Sequence, residues 1–248
     1  FIKEYDAAIF SAPAFSQQLP LPQYLIAPSI DPLSDKNREL PPETIHAVLD
    51  KYGLTQDKPM VTQISRFDRL KDPVGVVEMF KLVRKYNDCQ LVLAGGTAAD
   101  DPEGLQVLEE VKEKAGNDPD IHILLMQHND IDVNALQRAS TVIVQKSLRE
   151  GFGLTVTEAM WKGKPVIGGA VGGIVLQLQD YNTGFLVHSP EGCAFRIRYL
   201  LHRPEMARRM GQLAREFVRQ HFLITRHIRD YLTLMILLDQ KGSQFIEL

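Results

Sequence analysis

From about residue 60 onward, short apolar runs alternate with longer stretches whose apolar positions recur every third or fourth residue. Residues 60–64 (MVTQI) form a short β-prone run, and Asp72-Pro73 then supplies an N-cap and a first helical residue, with Val76, Phe80 and Val83 along one face. The same alternation predicts strands over 90–94, closed by Gly95-Gly96, and over 121–126, 141–145, 165–168 and 184–187. Between them it predicts helices over 102–115, with Leu105, Leu108 and Val111 on one side, over 132–138 and over 154–162. Strands that are apolar throughout are buried on both faces. Separated by helices, they make an α/β fold with a parallel sheet and helices on both faces. Such sheets bind ligands where their strands end, so each strand-to-helix loop is a candidate site.

The ends read differently. Residues 5–10 and 23–27 are short strand-like pieces around a loop with Pro13, Pro20 and Pro22, and the proline-rich polar stretch that follows, residues 29–42, reads as a linker. Residues 190–240 are helical, and Met206, Met210, Leu213, Ala214, Phe217 and Val218 form a stripe that predicts core packing.

Composition narrows the class of protein. Apolar residues are 44 % and charged residues 24 % of 248, which is ordinary for a globular domain, and no apolar run approaches membrane-spanning length. A net charge of −3 gives no reason to expect nucleic acid as a partner. Nine arginines against Glu205 and Glu216 over 196–229 read as solvated helix faces. Cys89 and Cys193 have no metal spacing and read as buried thiols of a reducing, cytoplasmic compartment. Phe1 is not an initiator residue, so the chain reads as part of a longer one; a homo-oligomer is left open.

Two loops carry candidate chemistry. In Ser65–Arg66–Phe67–Asp68–Arg69–Leu70–Lys71–Asp72, Arg66 and Lys71 flank a turn before a helix start, whose free N–H groups and dipole favour an anion. After the strand 141–145, Gly151 and Gly153 stand one residue apart at a turn into a helix, which lets backbone approach a ligand closely. Glu150 precedes that turn and Glu158 lies in the helix behind it. Carboxylates beside a phosphate site need another partner, and sugar hydroxyls supply it.

The run Glu150-Gly-Phe-Gly-Leu-Thr-Val-Thr-Glu158-Ala-Met, followed by Gly163-Lys-Pro-Val-Ile, resembles the signature of retaining glycosyltransferases of the GT-B fold, family 4. Arg66 and Lys71 match that family's Arg-x4-Lys pair, and ISRFDRLKDP, DDPEG (100–104) and PSIDPLSDKN (28–37) look like its trehalose-forming branch. The resemblance implies a Rossmann-like donor-binding domain over 43–248, a linker over 29–42 and, in 1–28, the remnant of an N-terminal acceptor domain otherwise missing here. It implies transfer of glucose from an NDP-glucose donor (UDP-, ADP- or GDP-) to glucose, giving trehalose, with no metal and no further cofactor. Arg66 and Lys71 would hold the diphosphate, Glu150 would face the hexose and Glu158 the ribose. The N–H groups of Gly151, Phe152, Gly153 and Leu154, with Thr155, would line sugar and phosphates, and the base would rest near Met126 and His128. The partners implied are the nucleotide-sugar, a sugar acceptor and the missing domain. A fragment that binds nucleotide-sugar without turnover, or a transferase with another sugar or acceptor, are the alternatives.

The sequence also departs from the family pattern. Val171-Gly172-Gly173-Ile174 leads into Val175-Leu176 instead of Pro-Glu, and Tyr181 replaces a glycine before Asn182-Thr183-Gly184-Phe185. Tyrosine takes φ > 0 only at a cost, so that turn is expected to differ. Asp130-Ile131-Asp132 spells a metal-binding triplet but reads as a helix cap, as does Asp100-Asp101. His122 alternates within a strand and reads as packed.

Overall fold

A computed structural model of the chain describes residues 2–96, 102–126 and 129–240. Two short strands, β1 (Ala8–Phe10) and β2 (Gln23–Leu25), pair in parallel ahead of a first helix, α1 (Pro42–Lys51). The rest alternates: β3 (Met60–Ile64), α2 (Pro73–Arg84), β4 (Gln90–Gly95), α3 (Pro102–Ala115), β5 (Ile121–Leu125), α4 (Asp130–Ala139), β6 (Val142–Gln145), α5 (Leu154–Trp161), β7 (Val166–Gly169), α6 (Ile174–Gln177) and β8 (Gly184–Val187). Three helices close the chain: α7 (Pro190–Leu201), α8 (Pro204–His221) and α9 (Ile224–Asp239).

The large sheet is parallel throughout, in the order β5-β4-β3-β6-β7-β8. Chain order runs outward in one direction from β3 and then in the other from β6, so the reversal lies between these neighbours, whose register pairs Val61 with Val142. In doubly wound sheets this reversal opens a crevice at the carboxyl edge. Alternate side chains of the central strands divide between the faces. Val61, Val142 and Val144 pack with Val76, Phe80, Leu108 and Ile197 of α2, α3 and α7. On the other face Ile143 and Val166 meet Met160 and Val218 of α5 and α8, while Met60 and Val92 meet Leu49 and Leu136 of α1 and α4. Helix α8 lies so close to the end of α5 that a Cβ on Gly211 would stand 1.8 Å from the Gly163 carbonyl oxygen.

The apolar pattern located the strands of the large sheet to within a residue, but β1 is three residues shorter than the expected 5–10, α1 and α6 were not predicted, and some faces are corrected. Leu105 is exposed, and α3 packs through Val107, Leu108 and Val111. Leu213 is also exposed; Ala207 and Gly211 take its place in the contact face of α8. Residues 29–42 form an ordered strap. Asn134 Nδ2 donates to the carbonyls of Asp35 and Arg38, each at 2.8 Å, and Ile30 N donates to Phe222 O at 2.9 Å. Tyr181 adopts the left-handed conformation after all, at φ 65°. Its ring lies under the Arg196 guanidinium, 4.3 Å from the centroid, and edge-on to Phe185 at 5.2 Å, and these contacts offset strain of about 1–2 kcal/mol.

Two lysines follow the end of α5, Lys162 buried and Lys164 half-buried. Burial pulls the Lys164 amine from the ordinary 10.5 down to about 8. The unfolded chain therefore binds the extra proton between about pH 8 and 10.5, and stability rises with pH across that window. Below it the cost of burying the ammonium is fully present. Lys164→Met is expected to stabilise the fold by on the order of 1–2 kcal/mol near neutral pH, with the gain fading as pH climbs through that window. Denaturant unfolding of both proteins at about pH 6, 8 and 10 checks this; a gain constant across pH would contradict it.

Candidate functional site

The loops after β3 and β6 are side by side because their strands are neighbours. Leu148 N donates to Leu70 O at 2.8 Å, a main-chain bond that ties one loop to the other. Beyond this tie, Lys71 Nζ donates to Glu150 Oε2 at 2.7 Å, with the two side chains 18 % and 10 % exposed. A cation from the first loop and a carboxylate from the second thus share one half-buried spot, where charges interact more strongly than on an open surface. A cavity of about 410 Å3 opens on the pair, walled by Leu70, Arg149, Val171 and Gly172, with Ala14 and Phe15 of the leading segment on its outer side. Volume alone does not mark the site: a cavity of about 400 Å3 at Thr55–Met60 lies at the amino edge of the sheet, away from these loops.

Arg66 belongs to the same loop but stands outside this contact. Its side chain is 66 % exposed and lies 3.2 Å from Asp68 Oδ2, an oxygen that receives no aligned hydrogen bond. Asp68 Oδ1 accepts from Lys71 N at 3.0 Å, so one carboxylate spans both cationic residues and leaves Arg66 free to turn toward an anion.

The helix ends differ in what they offer. The expected free N-terminus of α2 is occupied: Asp72, at φ 51°, caps it by accepting from Gly75 N at 3.1 Å, and the same carboxylate is paired with the buried Lys146. Helix α5 begins instead at Gly153, at φ 87°, with no side-chain cap, so its first N–H groups remain open toward the site. Gly151 and Leu154 are exposed at this end and Thr155 is half-buried. Phe152 points inward, edge-on to Phe222 at a centroid distance of 5.5 Å, so only its main chain faces the rim.

Helix α6, absent from the sequence-based expectation, holds this glycine loop from behind. Gln177 Nε2 donates to Phe152 O at 2.6 Å and Gly173 N to Gly151 O at 3.0 Å, while Thr157 Oγ1 donates to Gln177 Oε1 at 2.6 Å. At Gly172, φ is 50° and a Cβ would lie 1.6 Å from Glu150 O. The pair of glycines after β7 was the available signal: they leave room for the main chain that carries Glu150.

Glu158 is buried on α5, and burial raises its carboxyl above the usual range, opposed by the charges of Lys36 and Lys162. Lys162, drawn down to about 7 mainly by burial, donates to Asn37 Oδ1 at 3.1 Å and to Glu158 O at 3.3 Å. The strap 29–42 therefore forms one wall beside Glu158, and among the described residues no hydrogen bond or ion pair joins this group to the Lys71–Glu150 pair. Met126 is packed in the core, which leaves its main chain as the part at the rim; His128 lies outside the described residues, as do Asp100 and Asp101. The Asp130–Asp132 stretch does start α4, but the cap is Asn129, which accepts from Asp132 N at 3.1 Å. Asp132 is instead buried and accepts from Lys51 Nζ and Tyr52 Oη, each at 2.6 Å. His122 is half-buried, and burial lowers its pKa. Among the described residues no group of three or more His, Cys, Asp or Glu could hold a metal, and no helix is long and apolar enough to cross a membrane.

Comparison with known proteins bears on the family and the fold. The family model for glycosyl transferases group 1 matches residues 46–217. The chain is 47 % identical over 240 residues to a trehalose synthase of Pyrococcus horikoshii, a match covering 95 % of this chain and 58 % of that protein. Among solved structures, a sucrose-phosphate synthase from Thermosynechococcus elongatus superposes with a TM-score of 0.81 at 23 % identity, over 97 % of this chain and 60 % of that one. Anabaena Alr3699/HepE in complex with UDP-glucose superposes at 0.77 and 18 % identity, over 93 % and 63 %.

Proposed function

The chain belongs to the glycosyl transferases group 1 family, and from that premise we propose that it is the donor-binding half of a retaining transferase that moves glucose from an NDP-glucose to glucose, forming trehalose. Its sheet and covering helices are those of a GT-B glycosyltransferase half. The observation that carries the reading is the Lys71–Glu150 contact at the reversal of strand order, where an ammonium and a carboxylate from two neighbouring loops meet at 2.7 Å.

In this reading Lys71 leaves Glu150 for the donor diphosphate. Arg66 swings in from Asp68, and the open N-terminus of α5 faces the same phosphates. These groups stabilise the negative charge that grows on the leaving diphosphate as the C–O bond breaks. Glu150 accepts hydrogen bonds from the hexose and Glu158 from the ribose, with the strap 29–42 beside it. The acceptor hydroxyl attacks from the face the diphosphate leaves and gives its proton to the departing phosphate oxygen, with no covalent sugar–enzyme intermediate. These cations and the helix dipole do the neutralising that a divalent ion would otherwise do.

The chain spans 58 % of the length of the curated relative it matches. On its own it is therefore proposed to bind donor without turnover, the acceptor being held by a further domain. Calorimetric titration with UDP, ADP and GDP, then with their glucose conjugates, is expected to show saturable binding of at least one pair. No binding of any of them would remove the proposal. An assay with NDP-glucose and glucose is expected to yield no trehalose from this chain alone.

A further inference from the structure

Glu150 is held by more than Lys71. Gln145 Nε2, at the buried end of β6, donates to Ser147 Oγ at 3.0 Å, and Ser147 Oγ donates to Glu150 Oε2 at 3.0 Å. Both Ser147 and Lys71 therefore converge on Oε2, and among the described residues Oε1 receives no hydrogen bond. The chain of donors is anchored. Ser147 is 3 % exposed, and its main chain lies so close to β7 that a Cβ on Gly169 would stand 2.5 Å from Ser147 O. Gln145 Oε1 is buried without a partner, so its amide is not there to complete a satisfied polar core. Among the described residues the one bond its side chain makes is the bond that commits the Ser147 hydroxyl hydrogen to Glu150.

We propose that Ser147, oriented by Gln145, is a positioning residue that holds the Glu150 carboxylate with Oε1 turned to the hexose hydroxyls. The inference rests on the reading of the Lys71–Glu150 pair as the donor site. Lys71 cannot do this work in the loaded site, because the diphosphate competes for its ammonium. When Lys71 turns away, the Ser147 hydroxyl is the donor that stays on Oε2 and keeps the carboxylate in one rotamer. Without it, a long side chain regains rotational freedom that sugar binding must remove again. The consequence is selective: Ser147 acts on recognition of the sugar, and the diphosphate is held by other groups.

The test is calorimetry on the whole chain with UDP, ADP and GDP and the glucose conjugate of each, for the wild type, Ser147→Ala and Ser147→Thr, with thermal unfolding run alongside. Ser147→Ala is expected to leave nucleoside diphosphate affinity within about twofold while weakening the glucose conjugate about tenfold, and Ser147→Thr, which keeps the hydroxyl, to restore most of that loss. Equal loss for both ligands, or no loss for either, would overturn the proposal by reducing Ser147 to a packing residue. A wild type that binds a nucleoside diphosphate and its glucose conjugate alike sinks this inference and leaves the diphosphate reading standing. A wild type that binds none of them ends both.

Discussion

Lys71→Ala is expected to weaken binding of the nucleoside diphosphate, and of its glucose conjugate, by about a hundredfold. Lys71 is a partly buried cation whose ammonium already sits at a carboxylate 10 % exposed, so its removal takes away a charge-assisted contact from a place water screens poorly. It also leaves Glu150 with the Ser147 hydroxyl as its remaining donor and no paired cation, a state worth about 1–3 kcal/mol of lost stability. Truncating one partner of a hydrogen-bonded charge pair across a binding interface, here the ammonium against the diphosphate, costs about 2–5 kcal/mol of binding, which spans the hundredfold figure. Lys71→Arg keeps the charge but substitutes a planar fork for a compact head, and is expected to recover only part of the affinity. Isothermal titration of the variants against wild type reads the effect directly. Unchanged affinity in Lys71→Ala would show that the phosphates, if bound at all, are held elsewhere.

Gly172→Ala is expected to damage fold and site together. The residue has φ 50° and its Cβ would stand 1.6 Å from the Glu150 carbonyl oxygen, a main-chain atom that cannot rotate aside. Left-handed strain and forced displacement of the loop together amount to roughly 3–4 kcal/mol, which for a chain of this size is a fall of roughly 10 °C in the unfolding midpoint. The loop displaced is the one that carries Glu150 and the start of α5, so sugar-nucleotide binding is expected to disappear in the molecules that remain folded. Gly53→Ala supplies the comparison. Gly53 has φ 63° but nothing within 4 Å of an added Cβ, so its variant is expected to lose about 1 kcal/mol and bind normally. If both variants behave alike, the collision with Glu150 is not what matters at Gly172.

Much of the architecture was legible because each strand carries its own signal. Runs such as QLVLA (90–94) are apolar on both faces, and only a parallel sheet covered on both sides buries them. Asp72-Pro73 marked the start of α2, and Gly151-Phe-Gly153 marked the turn into α5. The failures have physical causes as specific as the successes. Helix α1 lies in a stretch where Pro41 and Pro42 read as loop but serve as cap and first turn. Helix α6 has four residues, too few for a period to show. Tyr181 could be read only as a strained choice, since the contacts with Arg196 and Phe185 that support it come from α7 and β8.

The candidate residues were likewise named by the chain and arranged by the fold. Lys71 and Glu150 are separated by 79 positions, and nothing local says that they touch. That depends on β3 and β6 lying side by side, and strand order is invisible in strands that are all equally apolar. The sequence by itself determined the class of fold, the loops that carry charge and glycine, and the helix starts, since each of these rests on interactions between residues a few positions apart. Tertiary structure alone decided that the Asp72 carboxylate capping α2 is also paired with Lys146, 74 positions away, and that Lys71 meets Glu150. It alone decided that Gly172 makes room for the main chain of Glu150. Those are contacts between distant segments, and their energies arise only once the sheet has brought the segments together.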